Sequence, residues 1–207
     1  MPAPMTSNQA AAGKPLAVPT DPIWRLSVDQ YHIMIDAGVL TDDDPVELLD
    51  GWLVTKMPKN PSHRIATRLT REALSHIVPS GWYVDAQEPI TTMDSEPEPD
   101  VVVIRGDTRQ YADRHPGPGD VALVVEVADA TLKRDQETKK RLYAAAGIPI
   151  YWIVNLIENR CEVYTTPSGP VEQPDYRQRM DYGLSDTVPV MIEGIEVAQI
   201  QVCELLP

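Results

Sequence analysis

The sequence predicts an α/β fold: a mixed, twisted central β-sheet flanked by α-helices on both sides. Three observations predict it. DVVVI (100–104) and VALVVEVA (121–128) are near-continuous β-branched runs, the pattern of strands buried on both faces. TLKRDQETKKRLYAAAG then separates VALVVEVA from IPIYWIVNL, and a strand, helix, strand order invites a crossover to a parallel neighbour. Upstream, SHRIATRLTREALSHIV carries Ile65, Leu69, Ala73 and Ile77 at steps of four, the stripe of an amphipathic helix.

Residues 1–22 mix Pro, Ala and small polar residues without an apolar period, which predicts a disordered or extended arm ahead of one domain spanning 23–207. Ser27 is placed to cap a short helix carrying Val28, Tyr31 and Ile35 and ending near Gly38. Asp50-Gly51 between VELL and WLVT signals a β-hairpin, because a type I′ turn needs positive φ at both central residues. The helix from Ser62 stops at Pro79 and Gly81, and WYVDAQEPITT alternates like a strand. HPGPGD connects the two apolar strands. The next helix starts near Thr131 and stops at Gly147, followed by IPIYWIVNL and CEVYTT as strands. From Tyr176 to Pro207 the pattern alternates weakly, predicting one or two peripheral strands with turns at Gly183 and Gly194.

Composition narrows the function classes. Lys+Arg 18 against Asp+Glu 31 gives a formal charge of -13, which repels nucleic acid at long range unless a local basic patch or a metal intervenes. Cys161 and Cys203 have neither metal-ligand spacing nor the density of a disulfide framework, pointing to a reducing, cytoplasmic setting. No run is long and apolar enough for a membrane helix, and the N-terminal residues lack a signal-peptide pattern. No P-loop, G-x-S-x-G or dinucleotide fingerprint occurs. His63 and His76, thirteen residues apart on one helix, read as surface or capping residues, and His32 and His115 are isolated, so no zinc site is expected.

One helix carries a lysine where an apolar residue belongs. On a wheel of 131–146, Leu132, Leu142, Tyr143 and Ala146 fall on one side and Lys139 lands in the middle of that stripe, with Arg141 opposite and Lys140 on the solvated flank. A buried ammonium needs a carboxylate partner; a stem snorkelling past Tyr143 satisfies the same pattern. Glu126 interrupts the buried VALVVEVA strand, and Asp100 opens DVVVI directly after EPEP. Two acids and one lysine suit metal-assisted phosphodiester hydrolysis, with hard oxygen ligands for Mg²⁺ and a cation near the phosphate. Spacing alone equally allows a Lys139–Glu126 ion pair with no ligand.

The string EPDVVVI, then LVVEVAD, then D-x-x-x-K-x-x-x-Y-x-x-x-G-I-P-x-Y-W-I-V (Asp135, Lys139, Tyr143, Gly147, Tyr151, Trp152) closely resembles the Uma-two family of restriction endonucleases, within the PD-(D/E)XK nuclease superfamily. The resemblance runs from about Glu47 through Tyr164. It implies a restriction-endonuclease-like fold, with Pro99-Asp100 as the PD element, Glu126 as the acid of the (D/E)XK element and Glu47 as the upstream acid. Two positions depart from the pattern: Ala128 stands where the superfamily has its lysine, which the resembling family supplies from the next helix as Lys139, and Asn155 replaces a family-typical Asp.

The expected activity is Mg²⁺-dependent hydrolysis of DNA phosphodiesters, with Mn²⁺ as a substitute. Asp100, Glu126 and the Val127 carbonyl are expected to bind metal, Lys139 to assist the water, and Glu47 to hold a second metal or a metal-bound water. Arg64, Arg68 and Arg71 share a helix face and are candidates for phosphate contact, and Gln87 is a candidate positioning residue. A homodimer is expected by analogy with nucleases that cut both strands. The competing reading is a catalytically silent nuclease-like fold serving as a protein-interaction or regulatory module.

Overall fold

The computed structural model describes residues 23–41 and 43–207; the expected arm at 1–22 lies outside the described residues. α1 (Val28–Asp36) begins at Ser27, whose Oγ accepts from the Gln30 N–H while the Gln30 side chain accepts from the Ser27 N–H. β1 (Val46–Leu49) and β2 (Trp52–Thr55) form the expected hairpin as a separate two-stranded sheet, with Asp50 at φ 51 and Gly51 at φ 76.

α2 (Pro61–Ile77) is capped by Asn60, whose side-chain oxygen accepts from the His63 N–H. Its buried face is not the predicted stripe. His63, Ala66, Thr67, Thr70 and Leu74 face inward, while Ile65 is exposed and Leu69, Ala73 and Ile77 lie half-buried on the flank. Small and hydroxyl side chains let this helix approach the sheet closely, and Thr67 returns its Oγ1 to the His63 carbonyl at 2.9 Å.

The central sheet has six strands in the order β3-β4-β5-β6-β7-β8. These are β3 (Trp82–Asp85), β4 (Val101–Arg105), β5 (Val121–Ala128), β6 (Ile150–Asn155), β7 (Arg160–Pro167) and β8 (Tyr176–Gly183). All neighbours are antiparallel except β5 and β6, paired in parallel with Glu126 opposite Ile153. The predicted long strand at WYVDAQEPITT stops at Asp85: the chain bends at Gln87, φ 63, and then runs beside the hairpin, where the Glu96 N–H donates to the Leu48 carbonyl at 2.7 Å.

The crossover from β5 to β6 is α3 (residues 132–145), with an α turn at Leu132–Arg134, a π turn at Asp135–Lys139 and α-helix again at Lys140–Ala145. Gly147, φ 75, ends it. Residues alternating along the strands divide between two cores. Val101, Val103, Val125, Val127, Trp152 and Val154 pack against α2 and a C-terminal hairpin of β9 (Thr187–Ile192) and β10 (Ile195–Gln201). On the opposite face, Val102, Val124, Tyr151, Ile153 and Tyr164 pack against Tyr143 and Ala144 of α3.

The C-terminal segment therefore holds three strands rather than one or two, and β8 belongs to the central sheet. Arg177 through Asp181 are all exposed on this edge strand, so it shows no apolar alternation to read. Lys140 is also less solvated than expected, lying over Tyr164 and ion-paired with Asp175 at 2.9 Å. Among the described residues, no helix is long and apolar enough to cross a membrane.

Candidate active site

β5 carries Glu126 on the α3 face of the sheet, in a strand whose every residue is buried. Its carboxylate is not left alone: Glu126 Oε1 accepts from Lys139 Nζ at 2.9 Å and from the Tyr143 hydroxyl at 2.7 Å. Lys139 is 4% exposed, so the buried alternative holds and the snorkelling one does not. The same ammonium lies 3.4 Å from Glu47 Oε2 on β1, which also accepts from the Glu98 N–H.

Asp100 stands just before β4. Ladder pairing between β4 and β5 ends at Val101 opposite Val125, so the edge of Val127 that faces β4 has no strand partner. Asp100 takes that place, its Oδ2 accepting the Val127 N–H at 2.9 Å. The N–H and C=O of a strand residue point to the same edge, so the Val127 carbonyl lies on this side too. His63 Nε2, from the first turn of α2, sits 3.1 Å from the same oxygen, and Lys59 Nζ lies 3.4 Å from Oδ1.

Each acid thus engages one oxygen with protein donors. Among the described residues Glu47 Oε1 and Glu126 Oε2 have no hydrogen-bond partner, and Asp100 Oδ1 has only the longer approach of Lys59. Asp135, in the π turn, adds a fourth buried carboxylate to the same cleft and accepts from the Thr131 hydroxyl at 2.6 Å. Two tethers hold that turn: the Tyr151 hydroxyl donates to the Asp135 carbonyl at 3.1 Å, and Gln136 Nε2 donates to both oxygens of buried Glu162 at 2.9 Å. Such turns recur at functional sites.

Four buried carboxylates surround one buried ammonium, and the electrostatics follow. Burial pushes Glu126 up to about 8 against the pull of Lys139, with Asp100, Asp135 and Glu47 pushing the same way. Asp135 is also raised by burial. Burial draws Lys139 down, but Glu126, Glu47 and Asp135 more than offset it and hold the lysine charged. At Asp100 burial is outweighed by His63, the Val127 N–H and Lys59, leaving its carboxyl below the ordinary range.

Of the sequence-predicted residues, Glu47, Asp100, Glu126 and Lys139 line one cleft, with Val127 at its floor. Arg64, Arg68, Arg71 and Gln87 do not line it. The three arginines lie exposed on the outer face of α2, where Arg68 pairs with Glu72 at 2.8 Å. Gln87 is an exposed bend residue whose N–H donates to the Pro99 carbonyl. Asn155 also stays outside the cleft, donating to Glu162 at 2.8 Å.

Sequence reasoning placed His63 on the surface; it is 8% exposed and touches Asp100. It also assigned no role to Lys56, Lys59, Asp129 or Arg134, all of which line the cleft. The only local signal was the Lys59-Asn60-Pro61 start of α2, which puts His63 in the first helical turn. Among the described residues, no three His, Cys, Asp or Glu side chains converge as a metal cage.

Comparison with known proteins places this geometry in context. The model of the family described as "Uma2: Putative restriction endonuclease" matches residues 28–198. A crystal structure titled as "a putative nuclease belonging to DUF820" from Anabaena variabilis shares the fold, with a TM-score of 0.61 at 14% identity, covering 87% of this chain and 97% of that one. No curated protein matches the chain.

Proposed function

Because the chain belongs to the Uma2 family, we propose that it is a metal-dependent nuclease hydrolysing phosphodiester bonds of DNA at the cleft of Glu47, Asp100, Glu126 and Lys139. The observation that carries this reading is the charge imbalance: four buried carboxylates face one buried lysine, and three of them keep an oxygen that no protein donor engages by a hydrogen bond. Carboxylate and carbonyl oxygens are the donors that Mg²⁺ and Mn²⁺ prefer. Mg²⁺ characteristically keeps several waters and takes only one or two carboxylates, completing its shell with substrate phosphate. Asp100, Glu126 and the Val127 carbonyl fit that donor set without a three-side-chain cage.

When bound, such an ion polarises the phosphate and acidifies a water. The chain's own residues supply the rest. His63 and the Val127 N–H fix Asp100 through Oδ2, leaving Oδ1 for a ligand. Tyr143 and Lys139 fix Glu126 in the same way through Oε1. Lys139 orients the attacking water and offsets negative charge developing on the phosphoryl oxygens. Glu47, 3.4 Å from the ammonium, orders water beside it.

The test is calorimetric titration of Mg²⁺ or Mn²⁺ with cleavage of single- and double-stranded DNA run in parallel. Wild type is expected to bind and cut. Asp100→Asn and Lys139→Met are expected to lose at least about a hundredfold in rate while keeping the wild-type circular dichroism. Cleavage unchanged in either variant refutes the assignment. The competing reading, a nuclease-like fold that binds proteins instead, draws on the charge of -13 and on Arg64, Arg68 and Arg71 lying away from the cleft. A wild type that neither binds metal with DNA present nor cuts would favour it.

A further inference from the structure

Among the described residues two arginines are half-buried, Arg160 and Arg134, and they differ in one respect. Arg160 is enclosed by carboxylates, contacting Glu158, Glu162 and Asp181. Arg134, in the first turn of α3, has no carboxylate within ion-pair distance among the described residues. One of its five N–H groups finds an acceptor, Nη1 donating to the Thr55 carbonyl at 3.2 Å, and its Nε is buried without a partner. A half-buried guanidinium with donors unmet is costly, and such a group calls for a ligand. Scarcity of acids does not explain it in a chain with Asp+Glu 31 against Lys+Arg 18.

Position supplies the rest. Arg134 lines the cleft together with Lys56 and Lys59, so three cations border the acidic centre. Lys56, next to Thr55, bonds Glu98 at 2.8 Å, and Lys59 reaches Asp100. The cavity itself is about 70 Å³, space for an ion and a few waters but not for a nucleoside. Whatever enters must present a small anion while the rest of it stays across the mouth. A guanidinium fork matches the two nonbridging oxygens of a phosphodiester.

We propose that Arg134, flanked by Lys56 and Lys59, is the phosphate-binding residue of this cleft and receives a backbone phosphodiester of a nucleic-acid strand. The proposal rests on the nuclease reading and adds to it that recognition here is of backbone, not of bases. Lys56 and Lys59, already held by acids, contribute field more than contact.

The experiment is fluorescence anisotropy with a labelled single-stranded DNA oligonucleotide and its duplex, across a salt series, with Ca²⁺ as the divalent ion. Arg134→Gln is expected to weaken binding at least about tenfold and to lower the log–log salt slope by about 1. Arg134→Lys should keep most of the slope at intermediate affinity, and Arg177→Gln on the exposed β8 edge should match wild type. Binding by Arg134→Gln within twofold of wild type at an unchanged slope overturns the proposal. Metal affinity measured on the same variant without DNA is expected to be unchanged; its loss would also overturn the proposal, by showing that Arg134 supports the metal site or the fold. If wild type cuts DNA while Arg134→Gln binds normally, this inference alone fails. If wild type neither binds nor cuts, the nuclease reading fails and takes the inference with it.

Discussion

Glu126 makes the stability of this protein fall with rising pH through a range where most carboxylates are silent. Its ordinary value is 4.5 and burial lifts it to about 8 in the fold, so between those limits the folded chain holds a proton that the unfolded chain has released. A raised carboxylate contributes stability that is complete below its unfolded pKa and lost as pH climbs through the folded one. The slope is about 1.4 kcal/mol per pH unit, so moving from pH 5.5 to 7.5 removes roughly 2–3 kcal/mol. Asp100 has the opposite sign: its pKa is lowered, its contribution is complete above the ordinary 3.8, and it does not vary in this window. Asp135 is raised and slopes the same way as Glu126, so the effect must be isolated by difference. Glu126→Gln does this, because the amide oxygen still accepts from Lys139 and Tyr143 but no longer titrates. Urea unfolding of both proteins at pH 5.5, 6.5 and 7.5, without divalent ions, is expected to show the wild type losing roughly 2–3 kcal/mol more than the variant. Parallel curves would refute the reasoning, since they would mean that Glu126 is ionised throughout.

Adding Mg²⁺ at pH 7 is expected to release about one proton as Glu126 ionises toward the ion, read from titration heats in buffers of different ionisation enthalpy; buffer-independent heats would contradict it. Tyr143→Phe removes the 2.7 Å hydroxyl donor from Glu126 and should cost about 1–3 kcal/mol in urea unfolding, with a loss below about 0.3 counting against the bond. Two glycines of similar φ should separate by packing. Gly51→Ala would place Cβ 2.6 Å from Arg25 Cβ and 3.0 Å from the Leu26 carbonyl, whereas Gly147→Ala meets nothing within 4 Å. The second should cost about 1–2 kcal/mol from backbone strain alone and the first clearly more, so equal losses in melting temperature would be the wrong outcome.

The parts of the fold that announce themselves in the sequence are those fixed by local chemistry. Asp50-Gly51 specifies its turn, Ser27 and Gln30 specify a helix start, and the β-branched runs specify buried strands because nothing else in the chain is apolar for so long. Lys139 was legible for a related reason: a charge inside an apolar stripe is a local anomaly, and its ion pair with Glu126 answers it. What the sequence concealed depends on partners distant along the chain. Ile65 looks more buried than His63 until Asp100, thirty-seven residues on from His63, is seen beside the imidazole. β8 reads as surface because its outward residues are polar and its pairing is entirely with β7. Arg134 has no distinguishing neighbours in sequence; only burial without a carboxylate partner sets it apart.

The π turn in α3 makes the spacing of the site a matter of chain length as well as residue type. In a regular helix residues four apart drift about 40° around the axis, so Asp135, Lys139 and Tyr143 would fan away from one another over two turns. The wider turn at Asp135–Lys139 takes up that drift, and all three reach the same cluster of acids. Removing one residue between 135 and 139 would let the helix relax to its commoner form and rotate one half of it by about 100° against the other. Either Asp135 or the Lys139–Tyr143 pair would then leave the cleft, while the sheet and both cores kept their contacts. A single-codon deletion in this segment would be a more severe lesion than most substitutions, separating a chain that folds from a chain that carries the site.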